Sequence, residues 1–223
     1  QVVILVAEET MPTKMFFDLS EEKREKIIEV CITEFSQHDY ENSSTNRIIQ
    51  NAGISKGSLF KYFQSKEELY FYILDTVSME FITDLRKDIA KLPLDLFERI
   101  IKYSELEFIW YILHPDKCKL IIAAFSKNDN ALHQKIKDRY NFEELDIYYK
   151  TLENIDISTL KWDKQKTVDI LKWFLLGFKK EFIFHIQSED FSDIELIRRK
   201  YVKQLTDYMT ILKFGLIKEK NED

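Results

Sequence analysis

The chain has 223 residues, 45% of them hydrophobic and 32% charged, long enough to bury a core and too mixed in composition to stay disordered. Only four glycines and three prolines are available for tight turns, which disfavours a sheet protein and points to helix almost throughout. The net charge of −6 excludes a protein that coats nucleic acid over its whole surface, because such affinity comes from neutralising phosphates. The charge is unevenly spread, however: from Asn42 to Lys66 there is no acid, while Arg47, Lys56, Lys61 and Lys66 give that window a charge of +4. Cys31 and Cys118 lie far apart and outside any CxxC or Cys/His cluster. Neither a disulfide framework nor a zinc site is expected, and the thiols fit a reducing, cytoplasmic setting.

Residues 1–19 read as an N-terminal extension. The apolar run from Val2 to Ala7 has no basic leader and is far too short to cross a bilayer, Met11 and Met15 both qualify as starts, and the first ten residues are expected to carry no function. Ser20 is placed to cap a helix over 21–37 whose first turn holds Glu21 and Glu22, with Ile27, Ile28, Cys31, Ile32 and Phe35 forming its apolar stripe. Ser44 opens a short helix carrying Ile48 and Ile49, which Gly53 closes. Ser55 restarts the chain as a helix ending near Phe63. Ser65 and Glu68 read as a capping box that opens a long helix to about Ala90, with Leu69, Ile73, Val77 and Phe81 on one face. Pro93 and Pro115 punctuate helices over 94–113 and 116–126, and further helical patterns follow over 130–154, 163–188 and 193–218. The expected organisation is therefore all-α with about nine helices: a helix-turn-helix domain over 20–66, a larger helical domain over 67–218 and a loose tail over 219–223.

Function concentrates in the two short helices and the glycine turn between them, a plausible helix-turn-helix. Ile48, Ile49, Ile54 and Leu59 lock the pair against the preceding helix, so that the helix after Ser55 is presented as a rigid rod for the major groove. Gly57 removes a side chain in its first turn and lets the backbone approach a duplex. Lys56 and Lys61 supply long cationic donors to base edges or phosphates. Ser55, Ser58, Thr45 and Tyr62 offer hydrogen bonds suited to phosphate oxygens, and Lys66 stands at a helix N-terminus that already favours an anion. Ser44, Asn46 and Arg47, at the head of the first short helix, complete the candidate set.

The stretch Ile48-Ile49-Gln50-Asn51-Ala52-Gly53-Ile54-Ser55-Lys56-Gly57-Ser58-Leu59-Phe60-Lys61-Tyr62-Phe63-Gln64-Ser65-Lys66-Glu67-Glu68-Leu69 resembles the signature of the TetR family of transcriptional regulators; with the helix before it, the resemblance covers about residues 20–70. It implies a homodimer that binds operator DNA through the second short helix, and a divergent helical domain that senses a ligand. It also implies phosphate contacts for Thr45, Tyr62 and Lys66, and base or groove contacts for Lys56, Gly57 and Lys61. Three positions depart from the family pattern. Phe60 stands where tyrosine is usual and is expected only to pack. Ile49 replaces a small alanine and is expected to push its helix slightly from its neighbour unless the preceding helix compensates. Asp39 replaces a glycine, and aspartate tolerates a left-handed backbone better than most residues.

The larger domain is more informative about architecture than chemistry. Glu105, Phe108, Tyr111, Phe125, Tyr140, Tyr148 and Trp173 are the candidate walls of an effector pocket, since aromatic side chains with polar tips suit an apolar ligand; core packing accounts for single members equally well. His114, before Pro115, reads as a helix-end residue. The last two helices carry apolar faces too wide for one covered side, and Phe174, Gly177, Phe178, Phe182, Tyr201, Leu205 and Tyr208 are the candidate dimer contacts. The family resemblance implies that they form a four-helix bundle across a two-fold axis, so that the operator is a near palindrome. The expected partners are double-stranded operator DNA, a small-molecule effector and a second copy of the chain, with no membrane. No catalytic residue, metal site or cofactor is expected: the pairs Glu181–His185 and Asp129–His133 lack the further carboxylates of a di-metal bundle, and there is no nucleophile elbow or P-loop. A helical enzyme and a helical adaptor that does not use its helix-turn-helix are the rival readings.

Overall fold

The computed structural model describes residues 12–89, 91–125, 131–140, 163–186 and 193–215, among which there are ten helices and no strand. They are α1 Lys14–Phe17, α2 Glu21–Asn42, α3 Thr45–Ala52, α4 Lys56–Tyr62, α5 Lys66–Ile89, α6 Leu96–Leu113, α7 Pro115–Phe125, α8 Ala131–Arg139, α9 Lys164–Ile186 and α10 Ile194–Phe214. The all-helical expectation holds. The chain divides into two units, the first made of Gln1–Asp84 with His114–Leu145 and the second of Leu85–Leu113 with Asp146–Asp223.

In the first unit, local chemistry fixes most helix ends. The Ser44 hydroxyl accepts the Arg47 amide at the start of α3, and Gly53, at φ 68° and ψ 35°, closes that helix in a left-handed conformation that costs glycine nothing. Ser55 caps α4 by accepting the Ser58 amide at 3.0 Å. At α5 the Ser65 hydroxyl takes the Glu68 amide at 3.0 Å, while the Glu68 carboxylate reaches back to the Gln64 amide at 2.7 Å. Ser20 departs from expectation: it stands at the N-cap of α2, but its side chain accepts no capping bond. The α2 stripe Ile27, Cys31, Ile32 and Phe35 is buried, as its spacing predicts. The helix runs past residue 37 to Asn42, with a break at Asp39.

The short α1 has no counterpart among the expected elements. Thr13 ties it to the end of α4, its amide donating to the Tyr62 carbonyl at 3.0 Å and its hydroxyl to the Lys61 carbonyl at 2.7 Å. Phe16 is fully buried beside Tyr62, Phe63 and Tyr72. Residues 12–19 thus belong to the folded unit rather than to an extension outside it. Helix α7 packs on α2. Asp75 on α5 accepts from Arg139 at 2.5 Å and from the Tyr140 hydroxyl at 2.5 Å. The helix expected over 130–154 is described only to Arg139, and its continuation lies outside the described residues.

The second unit packs α6, α9 and α10 around Ile100, Phe108, Leu171, Leu175, Phe182, Ile197, Tyr201, Leu205 and Met209. Asp95 opens α6 by accepting the Phe97 and Glu98 amides at 3.0 Å each. Phe108 and Tyr201 stack at 3.9 Å between ring centroids, and Tyr201 shares a hydrogen bond of 2.6 Å with Ser104. The Lys179 ammonium donates to Glu107 at 2.6 Å, both side chains only 7% exposed, so each charge is buried with its partner. No helix among the described residues is long and apolar enough to cross a membrane.

Candidate nucleic-acid interface

Helix α4 has two unlike faces. Leu59 and Tyr62 are buried, whereas Ser55, Lys56, Gly57, Phe60 and Lys61 are exposed. Neither Lys56 nor Lys61 has an ion-pair partner among the described residues. A Cβ at Gly57 would meet only the Ser55 hydroxyl at 3.9 Å, so nothing inside the chain demands glycine there; the empty position matters only to something that approaches from outside. Phe60 is 41% exposed on this face, so it does not simply pack, as the sequence reading expects. At the head of α3, Asn46 and Arg47 are exposed and Ser44 and Thr45 half-buried; Ser58, on α4, is half-buried too.

Two of the candidate cations are engaged within the protein. Arg47 grips the buried Glu34, its Nη2 donating to Oε1 at 2.5 Å and its Nε to each carboxylate oxygen at 3.0 Å, and it donates also to the Asn42 carbonyl at 2.9 Å. Burial pushes the Glu34 carboxyl up, but the Arg47 hydrogen bonds, the Ser44 amide at 2.7 Å and the charge of Arg47 outweigh it and hold the group below the usual carboxylate range. Arg47 is thus a brace between α2 and α3. The Lys66 ammonium donates to the Ser43 carbonyl at 2.8 Å and the Glu41 carbonyl at 3.3 Å, and lies 4.7 Å from the Tyr40 ring centroid. Burial draws its pKa down against the opposing charges of Glu41 and Glu34. It ties the start of α5 to the end of α2, where the sequence reading expects a phosphate contact alone.

The candidate effector residues do not all stand as pocket walls. Phe108 is fully buried in the second unit's core. Glu105 is paired with Lys102 and Arg198, and the Tyr111 hydroxyl donates to Glu107 at 3.1 Å. In the first unit the Tyr140 hydroxyl is taken by Asp75 and its ring meets Phe125. Trp173 is 69% exposed, and Tyr148 lies outside the described residues. A cavity of about 340 Å³ opens elsewhere in the first unit, between Phe35, Asp39, Tyr40, Glu41 and Asn42 of α2, Tyr70 of α5, Ala123 and Ala124 of α7, and Leu132, His133 and Ile136 of α8. None of its walls was a sequence candidate, because α2, α7 and α8 meet only in the folded chain.

The candidate dimer residues divide in the same way. Phe182, Tyr201 and Leu205 are buried in their own unit's core, so they present no surface to a second chain. Gly177 and Tyr208 are exposed, Phe174 and Phe178 half-buried. Ile170, Trp173 and Leu176 on α9 and Ile211, Leu212 and Phe214 on α10 are exposed as well; of these, Leu176, Ile211 and Phe214 escaped the sequence reading. Phe174 and Phe178 both contact Tyr208, which sets the two exposed faces side by side.

Comparison with known proteins identifies the family and the fold. A family model described as bacterial regulatory proteins, tetR family, matches residues 27–73. An HTH-type transcriptional regulator of Staphylococcus aureus strain bovine RF122 / ET3-1 is 35% identical over 160 residues, covering 72% of this chain and 83% of that one. A second such regulator, from Staphylococcus aureus strain USA300, is 32% identical over 162 residues, covering 73% and 84%. Among solved structures, a TetR family transcriptional regulator from Chloroflexus aurantiacus J-10-FL superposes with a TM-score of 0.67 at 23% identity, covering 92% of this chain and 98% of that one. The transcriptional regulator FadR from Bacillus subtilis, solved with stearoyl-CoA, gives a TM-score of 0.64 at 16% identity, covering 86% and 99%.

Proposed function

Because the chain belongs to the tetR family of bacterial regulatory proteins, and is in that sense a DNA-binding transcriptional regulator rather than an enzyme, we propose that it is a repressor that holds a near-palindromic operator as a homodimer and releases it when a small, partly apolar effector binds. The observation that carries the DNA contact is the outer face of α4, where Lys56 and Lys61 are exposed beside a glycine that the protein itself does not need. Ser55, Lys56, Gly57, Ser58 and Lys61 enter the major groove, and Ser44, Thr45 and Asn46 contact the strands on either side; Tyr62, expected from sequence as a phosphate contact, is buried against Phe16 and packs instead. Arg47 and Lys66 act chiefly by holding α3 and α5 on α2, with their remaining donor capacity directed to phosphate. The homodimer is supported by the exposed apolar face of α9 and α10, since a contiguous apolar surface of this kind marks an association site.

The effector is the finer part of the reading. The Bacillus subtilis neighbour binds stearoyl-CoA, which supports a ligand with an apolar portion here. The first unit's cavity is lined by aromatic and polar side chains, among them Asp39, the break in α2. A ligand seated there bears directly on the helix that mounts α3, and it shifts operator affinity only as far as it prefers one setting of that helix.

The test is selection of binding sites from randomised duplex DNA, followed by titration of the selected duplex at several salt concentrations. Two half-sites about one helical turn apart, with affinity falling steeply as salt rises, are the expected result. Lys56→Ala and Lys61→Ala should relax base preference and each reduce the log–log salt slope by about 1. Failure to select any sequence, with no duplex binding at low salt, would leave the adaptor reading in possession.

A further inference from the structure

We propose that Glu80, Asp84 and His114 form a binding site for one divalent first-row transition metal ion. One donor atom from each lies within 4.8 Å of the others, and all three side chains are half-buried in the first unit. Donors around a tetrahedral ion such as Zn²⁺ stand about 3.4 Å apart, so the side chains must close in by roughly 1 Å to complete the set. Glu80 and Asp84 are one turn apart on α5 and share a face. His114 is held by backbone geometry: its carbonyl accepts the Cys118 amide at 2.9 Å and Pro115 follows it as the first residue of α7.

The electrostatics suit a cation. Like charges at this helical spacing repel, and here the chain already places a cation among them, the Lys117 ammonium at 2.7 and 2.8 Å from the two Glu80 oxygens. An ion of charge +2 would serve both carboxylates and the imidazole together, in competition with the Lys117 ammonium on Glu80. One imidazole with two carboxylates suits Zn²⁺, Mn²⁺ or Fe²⁺ and disfavours Mg²⁺ and Ca²⁺, which take oxygen ligands. The contrast with Glu181 and His185 is instructive: that pair is 3.9 Å apart and more than 70% exposed, and no third ligand group joins it among the described residues.

An ion at this place ties the later turns of α5 to the head of α7. Helix α7 packs on α2, and α5 carries Lys66, so the ion stiffens the frame on which α3 and α4 are mounted. Asp84 and His114 are also the residues at which the chain leaves and re-enters the first unit, so the ion staples the ends of that excursion. The site shares no residue with the cavity of the first unit, although both involve α5 and α7.

The test uses the full chain, stripped with chelator, dialysed, and titrated with Zn²⁺ by calorimetry, with metal content read by mass spectrometry and folding followed by circular dichroism. The expected result is one Zn²⁺ per chain, a loss of affinity of at least roughly tenfold in Asp84→Asn and in His114→Ala, and no change in His185→Ala. Lys117→Met should bind Zn²⁺ several-fold more tightly than wild type, because the competing ammonium is gone; a merely structural cluster predicts no such gain. Wild-type binding no tighter than that of the Asp84→Asn/His114→Ala double variant overturns the site, as does a Lys117→Met variant that is folded and binds no more tightly. Neither result touches the DNA-binding reading, which is measured without added metal.

Discussion

Asp39 carries a backbone that its side chain does not favour. At φ 52° and ψ 174° it is the one non-glycine residue with positive φ among those described, in a region that glycine occupies almost alone. Asp39→Gly should therefore raise the unfolding free energy by about 1 kcal/mol in urea titration; no gain would show that the turn is unstrained. This position was legible in the sequence, since aspartate stands where the family pattern has glycine. The buried Glu34 was not, because its partner Arg47 lies thirteen residues on, in a different helix. The depressed pKa of Glu34 makes a second prediction whose sign is fixed. A carboxyl held lower in the folded than in the unfolded chain stabilises fully above the unfolded value, about 4.3, and loses that contribution as pH falls through its lowered folded value. Glu34→Gln should thus lower stability at pH 7 and flatten the acid side of the pH–stability curve, read by urea titration from pH 7 to pH 3. An unchanged acid limb would mean that other carboxylates govern acid unfolding.

Short helices depend on their ends, and α3, α4 and α5 each have a serine in the capping position whose hydroxyl is used. These were readable from sequence because a cap and the amide it accepts lie within three residues. The bare N-cap of Ser20 shows where that reading stops, since the pattern gives the position but not the rotamer. Helix α1 escaped it altogether: its reason is Phe16 buried under Tyr62, Phe63 and Tyr72, a contact across more than forty residues. Helix α4 allows stability and function to be separated. Gly57→Ala adds a methyl group that meets nothing closer than 3.9 Å and improves helix propensity, so stability should stay level or rise by up to about 1 kcal/mol. Operator affinity should nevertheless fall by roughly tenfold or more, on the order of the 1–3 kcal/mol that a good groove contact is worth. A variant equally stable and equally tight would remove α4 from the groove.

Association of two chains is where periodicity was least able to discriminate. Helices α9 and α10 are apolar over so much of their circumference that spacing alone does not say which residues face their own unit. The sequence reading accordingly took Phe182, Tyr201 and Leu205 for interface, although they fill the unit's core, and it took Trp173 for a pocket wall, although it stands in solvent. The two kinds of position answer differently to substitution. Phe182→Ala empties core volume and should cost about 3–5 kcal/mol of stability. Trp173→Glu alters a side chain 69% exposed and should leave the helical circular dichroism of the single chain intact while placing a charge in the middle of the proposed contact. Analytical ultracentrifugation should then find a monomer where the parent chain is a dimer. Because two linked heads gain over one by roughly 10²–10⁴, binding to the full operator should fall by that order, whereas binding to an isolated half-site should barely change. A Trp173→Glu chain that still sediments as a dimer would move the interface off the α9–α10 face, and with it the spacing between the two copies of α4 on which a near-palindromic operator depends.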